Sequence, residues 1–348
     1  MVDQIELRRP DDWHLHLRDG DALASVAGHS AASFGRAIVM PNLVPPVATV
    51  EAAAAYRGRI LEALPEGARF EPLMTLYLTP GTTTADIEAA AASDFVHAVK
   101  LYPAGATTNA EAGVSDLGAV DEVLAAMAQH ELPLCVHGES IDPEHDPFDR
   151  EARFVGETLA SLVSRHPTLP VVLEHVTSAE GVRFVQQATG RVAGTVTPQH
   201  LLYDRRALFA GGLRPHFFCL PVLKRAEHRA AILEAVTAGD GKFFAGTDSA
   251  PHERGRKESA CGCAGVFNAP VALGLYAEAF AEAGAIAHLE TFVSLAGPSF
   301  YGLPPNDERI TLVRDPWRVP ESYPFAGGTI VPLRAGETVM WRIRSPAA

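Results

Sequence analysis

Short apolar runs alternate with longer stretches of mixed polarity along most of the chain. The apolar runs predict strands at residues 13–17, 37–40, 71–78, 96–101, 134–136, 171–174, 191–195 and 243–245. The stretches between them carry helix formers with Glu and Arg at helical spacing, which predicts helices at 50–64, 85–92, 116–130, 152–165, 179–188 and 226–238. Pro65, Pro133 and Pro170 lie between a predicted helix and the next strand, where proline stops a helix.

Eight strands that alternate with helices favour a single α/β domain over residues 1–348, a (β/α)8 TIM barrel. A doubly wound parallel sheet is the main alternative. No G-x-G-x-x-G run follows the first strand and no Walker A run occurs, so a nucleotide site has no support. The tail from about Ile310, with Pro and Gly clusters and alternating apolar positions, predicts short strands or loops as a C-terminal extension.

Composition narrows the class of protein. The 348 residues are 47% hydrophobic and 20% charged, which is typical of a folded enzyme. The net charge of −13 argues against nucleic acid and anionic membranes as partners. We expect no membrane span and no signal peptide, since no long apolar run occurs. Four cysteines are too few for a disulfide framework, so we expect a reducing cytoplasm.

The first predicted strand leads into a His-x-His-x-Arg run of His14, His16 and Arg18. Successive residues of a strand point to opposite faces, so the two histidines share one face, and Leu15 and Leu17 face the other way. Neutral imidazole is the commonest metal ligand in proteins. The run therefore predicts a metal site with an anion clamp beside it.

Polar side chains also follow five other predicted strands. They are Asn42, Lys100, His137, His175 and Asp248. Each alone has a plainer interpretation, such as a structural histidine, a surface lysine or a helix N-cap aspartate. Active-site groups of a barrel lie at the C-terminal ends of its strands, so together these residues predict one site at the barrel mouth.

The run Cys261-Gly262-Cys263 invites a second metal interpretation. Its spacing is short, and it lacks the additional Cys/His pair of structural zinc sites. We expect these cysteines to be small buried side chains near the active site.

The sequence resembles the amidohydrolase superfamily of metal-dependent hydrolases and, within it, the shorter bacterial class of dihydroorotases. The resemblance covers essentially the whole chain, and no ligand position departs from the family pattern. Its motifs are DWHLHLRDG (12–20), MPNL (40–43), VKLYPAGATTN (99–109), VHGE (136–139), LEHVT (173–177), GTDSAPH (246–252) and KESACGCAG (257–265).

The resemblance implies two zinc ions per subunit, bridged by an N6-carboxylated Lys100. The other implied ligands are His14, His16 and Asp248 for the more buried ion, and His137 and His175 for the other. Burial beside metal ions would depress the pKa of the lysine, and the neutral amine can add carbon dioxide. The resulting carbamate offers two anionic oxygens, which suit a pair of cations.

The resemblance also implies the reaction, the reversible cyclisation of N-carbamoyl-L-aspartate to L-dihydroorotate in de novo pyrimidine (UMP) biosynthesis. In the hydrolytic direction, a metal-bridging hydroxide would attack the ring amide carbonyl. Asp248 would act as general base and then as general acid toward the leaving nitrogen. The family further implies a cytoplasmic homodimer that acts on a small molecule.

The substrate carboxylate needs cationic and hydrogen-bonding partners, and Arg18 can offer a bidentate fork. The resemblance implies a substrate-binding set of His16, Arg18, Asn42, Thr107, Thr108, His137, Leu220, His252 and Ala264, with Leu220 and Ala264 acting through their backbone. The loop at 102–109 would close over substrate through Thr107 and Thr108. An ordinary turn between strand and helix is the alternative for that loop.

Two other functions remain open from the sequence. A hydantoinase or allantoinase would fit the same metal ligands, although Arg18, Asn42 and His252 favour a substrate with a carboxylate beside the scissile amide. A non-catalytic barrel scaffold is the second alternative, and the complete ligand set argues against it.

Overall fold

A parallel eight-stranded sheet forms the centre of the protein, whose computed structural model describes residues 2–260 and 262–344. A short strand, β1 (Gln4–Arg8), precedes this sheet. Each central strand pairs with the next one along the chain. They are β2 (Asp11–Leu15), β3 (Arg36–Val39), β4 (Glu71–Tyr77), β5 (Val96–Leu101), β6 (Leu134–Val136), β7 (Val171–Leu173), β8 (Val192–Val196) and β9 (Phe243–Ala245).

The first and last strands of this sheet meet just beyond the end of β9. The Asp248 N–H donates to the His14 carbonyl at 2.9 Å, and the His16 N–H donates to the Ser249 carbonyl at 3.2 Å. The sheet therefore closes almost completely, and the predicted (β/α)8 TIM barrel is confirmed. Each predicted strand differs from the observed one by at most two residues at either end.

Helices follow most of the barrel strands and cover the sheet. They are α1 (Asp21–Ser33), α2 (Val50–Ala63), α3 (Thr84–Ala91), α4 (Asp121–Gln129), α5 (Arg150–Phe154), α6 (Ala160–Arg165), α7 (Ala179–Gln187), α8 (Pro198–Leu202), α9 (Ala226–Thr237), α10 (Arg254–Lys257), α11 (Ala272–Glu282) and α12 (Ala296–Tyr301). A π-helical turn (Val155–Leu159) joins α5 to α6. Within the two described ranges, none of the helices combines the length and apolar character needed to cross a bilayer.

Two of the longer helices, α1 and α11, were not predicted. Residues 272–280 of α11 are all buried, so its sequence lacks the one-sided apolar period that marks a surface helix. The sequence of α1 is rich in the small residues Ala, Ser and Gly, so its hydrophobic periodicity is weak.

Short antiparallel strands form the C-terminal extension, as predicted from about Ile310. They are β10 (Arg309–Val313), β11 (Trp317–Arg318), β12 (Tyr323–Phe325), β13 (Gly328–Ile330), β14 (Thr338–Val339) and β15 (Arg342–Ile343). Strand β10 lies between β1 and β15, so the extension ties the two ends of the chain together outside the barrel.

An apolar plug fills the lower part of the barrel. Each barrel strand contributes one side chain to it: Trp13, Ile38, Leu73, Ala98, Cys135, Val172, Ala193 and Phe244. Helix α12 closes the plug from below, where the Tyr301 ring stacks on Trp13 with centroids 4.5 Å apart. The Pro304 carbonyl just after α12 accepts from Arg36, at the start of β3, which places this helix at the N-terminal end of the barrel.

The contact between Gly297 of α12 and Trp13 gives a stability prediction. A Cβ added at Gly297 would overlap the Trp13 indole. We expect Gly297→Ala to lower the free energy of unfolding by about 1–3 kcal/mol, since overpacking displaces a close-packed core. Urea denaturation measures this change.

Gly58→Ala in α2 is the matched control. A Cβ at Gly58 would meet no atom within 4 Å. This substitution should raise the free energy of unfolding by about 0.5–1 kcal/mol, because alanine favours the helix. Equal effects of the two substitutions would contradict the packing argument.

Candidate metal centre and active site

The alternation of strand residues places two of the predicted ligands directly above the plug. Lys100 lies two residues after Ala98, and His137 lies two residues after Cys135. Residues two apart share a face of the sheet, so both side chains point into the barrel. Lys100 is fully buried and His137 is 2% exposed.

Left-handed backbone aims two more ligands into the site. His175 has φ +43° and Asp248 has φ +45°. Strict alternation after Val172 would point Glu174 inward and His175 outward, yet both line the centre. Side-chain-bearing residues rarely adopt positive φ, and such strain concentrates at functional sites.

A bulge in β2 arranges the His-x-His run. The pairing of β2 with β3 shifts register between Asp12 and Leu15. Trp13 can therefore fill the plug while the neighbouring His14 and His16 also face inward, and Leu15 packs in the outer core. The face shared by the two histidines is found as predicted.

The predicted metal ligands converge on one point of the barrel mouth. The Nε2 atoms of His14 and His16 lie 3.1 Å apart. Asp248 Oδ1 lies 3.3 Å and 3.2 Å from these two atoms. On the other side, His137 Nδ1 lies 3.2 Å from His175 Nε2. The His14 and His175 rings connect the two groups, with centroids 5.1 Å apart.

The charge states suit a metal centre. Burial lowers the pKa of His16 to about 4, and it lowers the pKa of His175 well below its ordinary value. These imidazoles are neutral at pH 7 and keep a lone pair. Burial opposes ionisation of Asp248, but the facing His14 and His16 outweigh it and hold the pKa of this carboxyl well below its usual range.

Three of the histidines have an oxygen atom at the ring nitrogen that faces away from the other ligands. The pairs are His14 Nδ1 with Glu174 Oε1 (3.0 Å), His16 Nδ1 with Asn42 Oδ1 (2.9 Å) and His137 Nε2 with Glu139 Oε2 (2.9 Å). For His16 and His137 this contact is a hydrogen bond, which holds the ring proton at the far nitrogen and leaves the near nitrogen free to bind a metal ion, whereas the His14 contact is close without being a hydrogen bond.

Glu139 and Glu174 are functional candidates that the sequence reasoning missed. A signal was present, because Glu139 lies two residues after His137 and Glu174 lies two residues after the plug residue Val172. The Glu174 carboxylate lies beside His14 and the Glu139 carboxylate beside His137.

Lys100 has the environment that carboxylation of an amine requires. Burial lowers the pKa of Lys100 to about 7, so a large fraction is neutral amine at pH 7. Its Nζ contacts the Glu174 carboxylate and lies 4.8 Å from the Tyr102 ring centroid. Among the residues described, Lys100 Nζ and His175 Nδ1 are buried polar atoms without a hydrogen-bond partner.

This donor set fits metal ions. His14, His16 and Asp248 bring three ligand atoms within 4.8 Å of one another, as do His14, Glu174 and His175. Neutral imidazoles and a carboxylate are ligands that bind divalent cations in proteins, and a bound cation would compensate for the burial of these polar groups.

The pocket above the ligands contains nearly all of the predicted substrate-binding residues. Its lining includes His16, Arg18, Asn42, Thr107, Thr108, His137, Leu220 and Ala264. His252 stands at the edge of this pocket, where its Nε2 lies 3.0 Å from Arg18 Nη2 and 2.8 Å from the Ala264 carbonyl oxygen.

Arg18 and His252, the residues predicted to bind an anion, contact each other at the pocket. Burial, with help from Arg18 and Lys257, lowers the pKa of His252 to about 3, so its imidazole is neutral. Its Nε2 faces a donor on Arg18 and an acceptor on Ala264, and a single ring nitrogen satisfies only one of them. When Nε2 accepts from Arg18, the Ala264 carbonyl can still accept a hydrogen bond from a ligand. When Nε2 donates to the carbonyl, that Arg18 N–H can still donate to a ligand.

The loop at 102–109 contacts the pocket from above β5. Asn42 Nδ2 donates to the Thr108 carbonyl at 2.9 Å, and Asn109 Nδ2 donates to the Asn42 carbonyl at 2.9 Å. Thr108 Oγ1 lies 3.5 Å from the Ala264 carbonyl oxygen. The loop thus spans the mouth between two of the predicted substrate contacts.

The prediction of buried cysteines is wrong for Cys263. Cys263 is partly exposed rather than buried, and it belongs to neither of the residue groups able to hold a metal ion. Cys261 lies outside the described residues.

Comparison with known proteins places the chain among metal-dependent hydrolases. Residues 12–313 match the amidohydrolase family. A dihydroorotase from Halorhodospira halophila is 59% identical over 345 residues, which cover 99% of this chain and 100% of that protein.

Solved structures agree with this placement. Dihydroorotase from Saccharomyces cerevisiae in complex with 5-fluoroorotic acid superposes with a TM-score of 0.91 at 30% identity, over 99% of both chains. An L-hydantoinase from Arthrobacter aurescens has a TM-score of 0.77 at 16% identity, over 97% of this chain and 87% of its own, and shares the fold alone. The chain belongs to the amidohydrolase family and, within it, to the dihydroorotases.

Proposed function

We propose that this protein is a zinc-dependent dihydroorotase that interconverts N-carbamoyl-L-aspartate and L-dihydroorotate. The observation that carries the proposal is one pocket in which the ligand cluster of His14, His16 and Asp248 lies beside the Arg18–His252 clamp. A cyclic amide with an adjacent carboxylate needs both features. The full-length similarity to dihydroorotases supports the same substrate.

Two zinc ions are proposed for this site. His14, His16 and Asp248 would hold one, His137 and His175 would hold the other, and carboxylated Lys100 would lie between them. Bound zinc would supply Lewis acidity that activates water and polarises the amide carbonyl.

Asp248 is the proposed proton carrier. Its low pKa keeps it ionised, and its Oδ1 faces the same point as the Nε2 atoms of His14 and His16. In ring opening, Asp248 takes a proton from the attacking water and delivers it to the leaving amide nitrogen. In ring closure, the same carboxyl moves the proton in the opposite direction.

The other pocket residues orient the ring. Arg18, Asn42 and His252 are proposed to bind the substrate carboxylate, and the backbone groups of Leu220 and Ala264 the ring amides. Thr107 and Thr108 would cover the bound molecule and exclude water.

Arg18→Lys should raise KM for dihydroorotate about tenfold or more, because a point charge replaces a planar fork. The effect on kcat should be smaller, since Arg18 contacts a group that does not react. Steady-state kinetics of the purified variant measure both constants. An unchanged KM would remove Arg18 from the substrate site.

The substrate is tested by offering the purified wild-type protein dihydroorotate and hydantoin in parallel. We expect turnover of dihydroorotate. Turnover of hydantoin alone would replace the proposal with a hydantoinase.

Metal analysis tests the scaffold alternative. We expect zinc in the purified protein and loss of activity on chelation, with recovery on zinc addition. Less than about one zinc per chain, without activity after zinc is added, would favour a scaffold.

We further propose a single-domain homodimer in the cytoplasm, on the family resemblance. Light scattering of the purified protein at two concentrations tests the dimer.

A further inference from the structure

Lys257 is a buried cation close to the pocket that has no part in the chemistry proposed above. It is the last residue of α10 and only 3% exposed. Burying an ammonium group is costly unless its donors are satisfied, so this side chain needs a structural or functional reason.

Three backbone carbonyls surround the Lys257 ammonium group. Its Nζ lies 2.8 Å from the Phe218 oxygen, 2.8 Å from the Cys263 oxygen and 2.7 Å from the Gly265 oxygen. An ammonium group has three donors, so all of them are used and none is left for substrate.

These carbonyls belong to the two backbone segments that bring Leu220, Ala264 and Gly265 to the pocket. Phe218 lies two residues before Leu220, and Cys263 and Gly265 flank Ala264. The Phe218 carbonyl also accepts from the Gly265 N–H at 3.0 Å, so Lys257 binds the point where the two segments meet.

The Ala264 carbonyl lies between two of the carbonyls that Lys257 contacts and is not one of its partners. With the Cys263 and Gly265 carbonyls held by the ammonium group, the carbonyl between them is directed elsewhere. The Ala264 carbonyl instead faces His252 Nε2 at 2.8 Å and Thr108 Oγ1 at 3.5 Å, at the pocket.

We propose that Lys257 is a positioning residue that sets the Leu220 and Ala264 backbone groups at the spacing needed to bind the substrate ring. This inference rests on the proposed function, because it assigns a task within the same site. The hydrogen bonds of Lys257 named above all go to backbone carbonyls, and its charge also contributes to the low pKa of His252.

Lys257→Met tests this assignment, because it keeps the side-chain length and removes all three donors. We expect KM for dihydroorotate and Kd for 5-fluoroorotic acid to rise about tenfold or more, since small misplacements of binding groups are costly. Zinc content should equal that of the wild type. Lys257→Gln retains two donors and should fall between wild type and Lys257→Met.

Lys242→Met is the matched control. Lys242 Nζ likewise lies near three carbonyls, those of Val185 (3.1 Å), Gln186 (2.8 Å) and Ala188 (3.1 Å), at the end of α7 away from the pocket. This variant should lose stability but keep KM and Kd within about twofold of the wild type, since it changes no group near the pocket.

Calorimetric titration with 5-fluoroorotic acid, together with steady-state kinetics, distinguishes failure of the proposed function from failure of the positioning role of Lys257. Wild-type protein without turnover or binding would overturn the proposed function and this inference together. Active wild-type protein with unchanged KM and Kd in Lys257→Met would overturn the inference alone. Failure of both Lys257 variants to fold, while Lys242→Met folds, would assign Lys257 to fold stability and also overturn it.

Discussion

Lys100→Met is expected to lower kcat/KM by about 10³-fold or more, because a Lewis acid contributes several kcal/mol and each 1.4 kcal/mol is about tenfold in rate. Lys100 is fully buried, and its Nζ contacts the Glu174 carboxylate beside the predicted ligands. Methionine has a similar length and cannot add carbon dioxide. Elemental analysis should show fewer zinc ions per chain than in the wild type.

The carboxylated form of Lys100 has its own readout. Apoprotein reconstituted with zinc should recover activity faster with added bicarbonate, since the amine reacts with dissolved carbon dioxide. Lys242→Met serves as the control and should keep both metal and activity. Full zinc content with wild-type kcat in Lys100→Met would remove this lysine from the metal centre.

Asp248→Ala is expected to lower kcat about 10²- to 10⁴-fold, the usual contribution of a positioned acid or base. Most of the zinc should remain, since His14 and His16 still face the same point. KM should change little, because Asp248 is not part of the carboxylate clamp. Zinc content and steady-state kinetics on the same preparation measure these effects.

Asp248→Asn separates the proton-transfer role from the shape of the side chain. Asparagine has nearly the same volume as aspartate but cannot accept a proton at neutral pH. Its kcat should therefore be as low as that of Asp248→Ala. A wild-type rate in either variant would refute the proton-carrier assignment.

Sequence pattern predicted most of the site because the barrel obeys the alternation of strand residues. Lys100 and His137 follow this rule from their strands. The positions of His175 and Asp248 at strand ends were also predictable, but the direction in which their side chains point was not. Each turns inward through positive φ, a local backbone choice that apolar periodicity does not encode.

The features that were not predicted have different physical causes. Trp13 joins the plug through a bulge that breaks alternation within β2. Lys257 acts on carbonyl groups of residues 218, 263 and 265, and a contact between a side chain and distant backbone leaves no pattern in the sequence. Helix α11 is buried on all sides, so its period is lost.

The apolar plug closes the barrel beneath the predicted metal ligands. Trp13 is fully buried and its ring is stacked on Tyr301, so in the described part of the chain apolar side chains fill the barrel below the site. On the proposed function, substrate and product would share one entrance, the pocket that Thr107 and Thr108 line. If the loop at 102–109 closes over the bound molecule as proposed, closure would slow the entry of substrate and the release of product in both directions of the reaction.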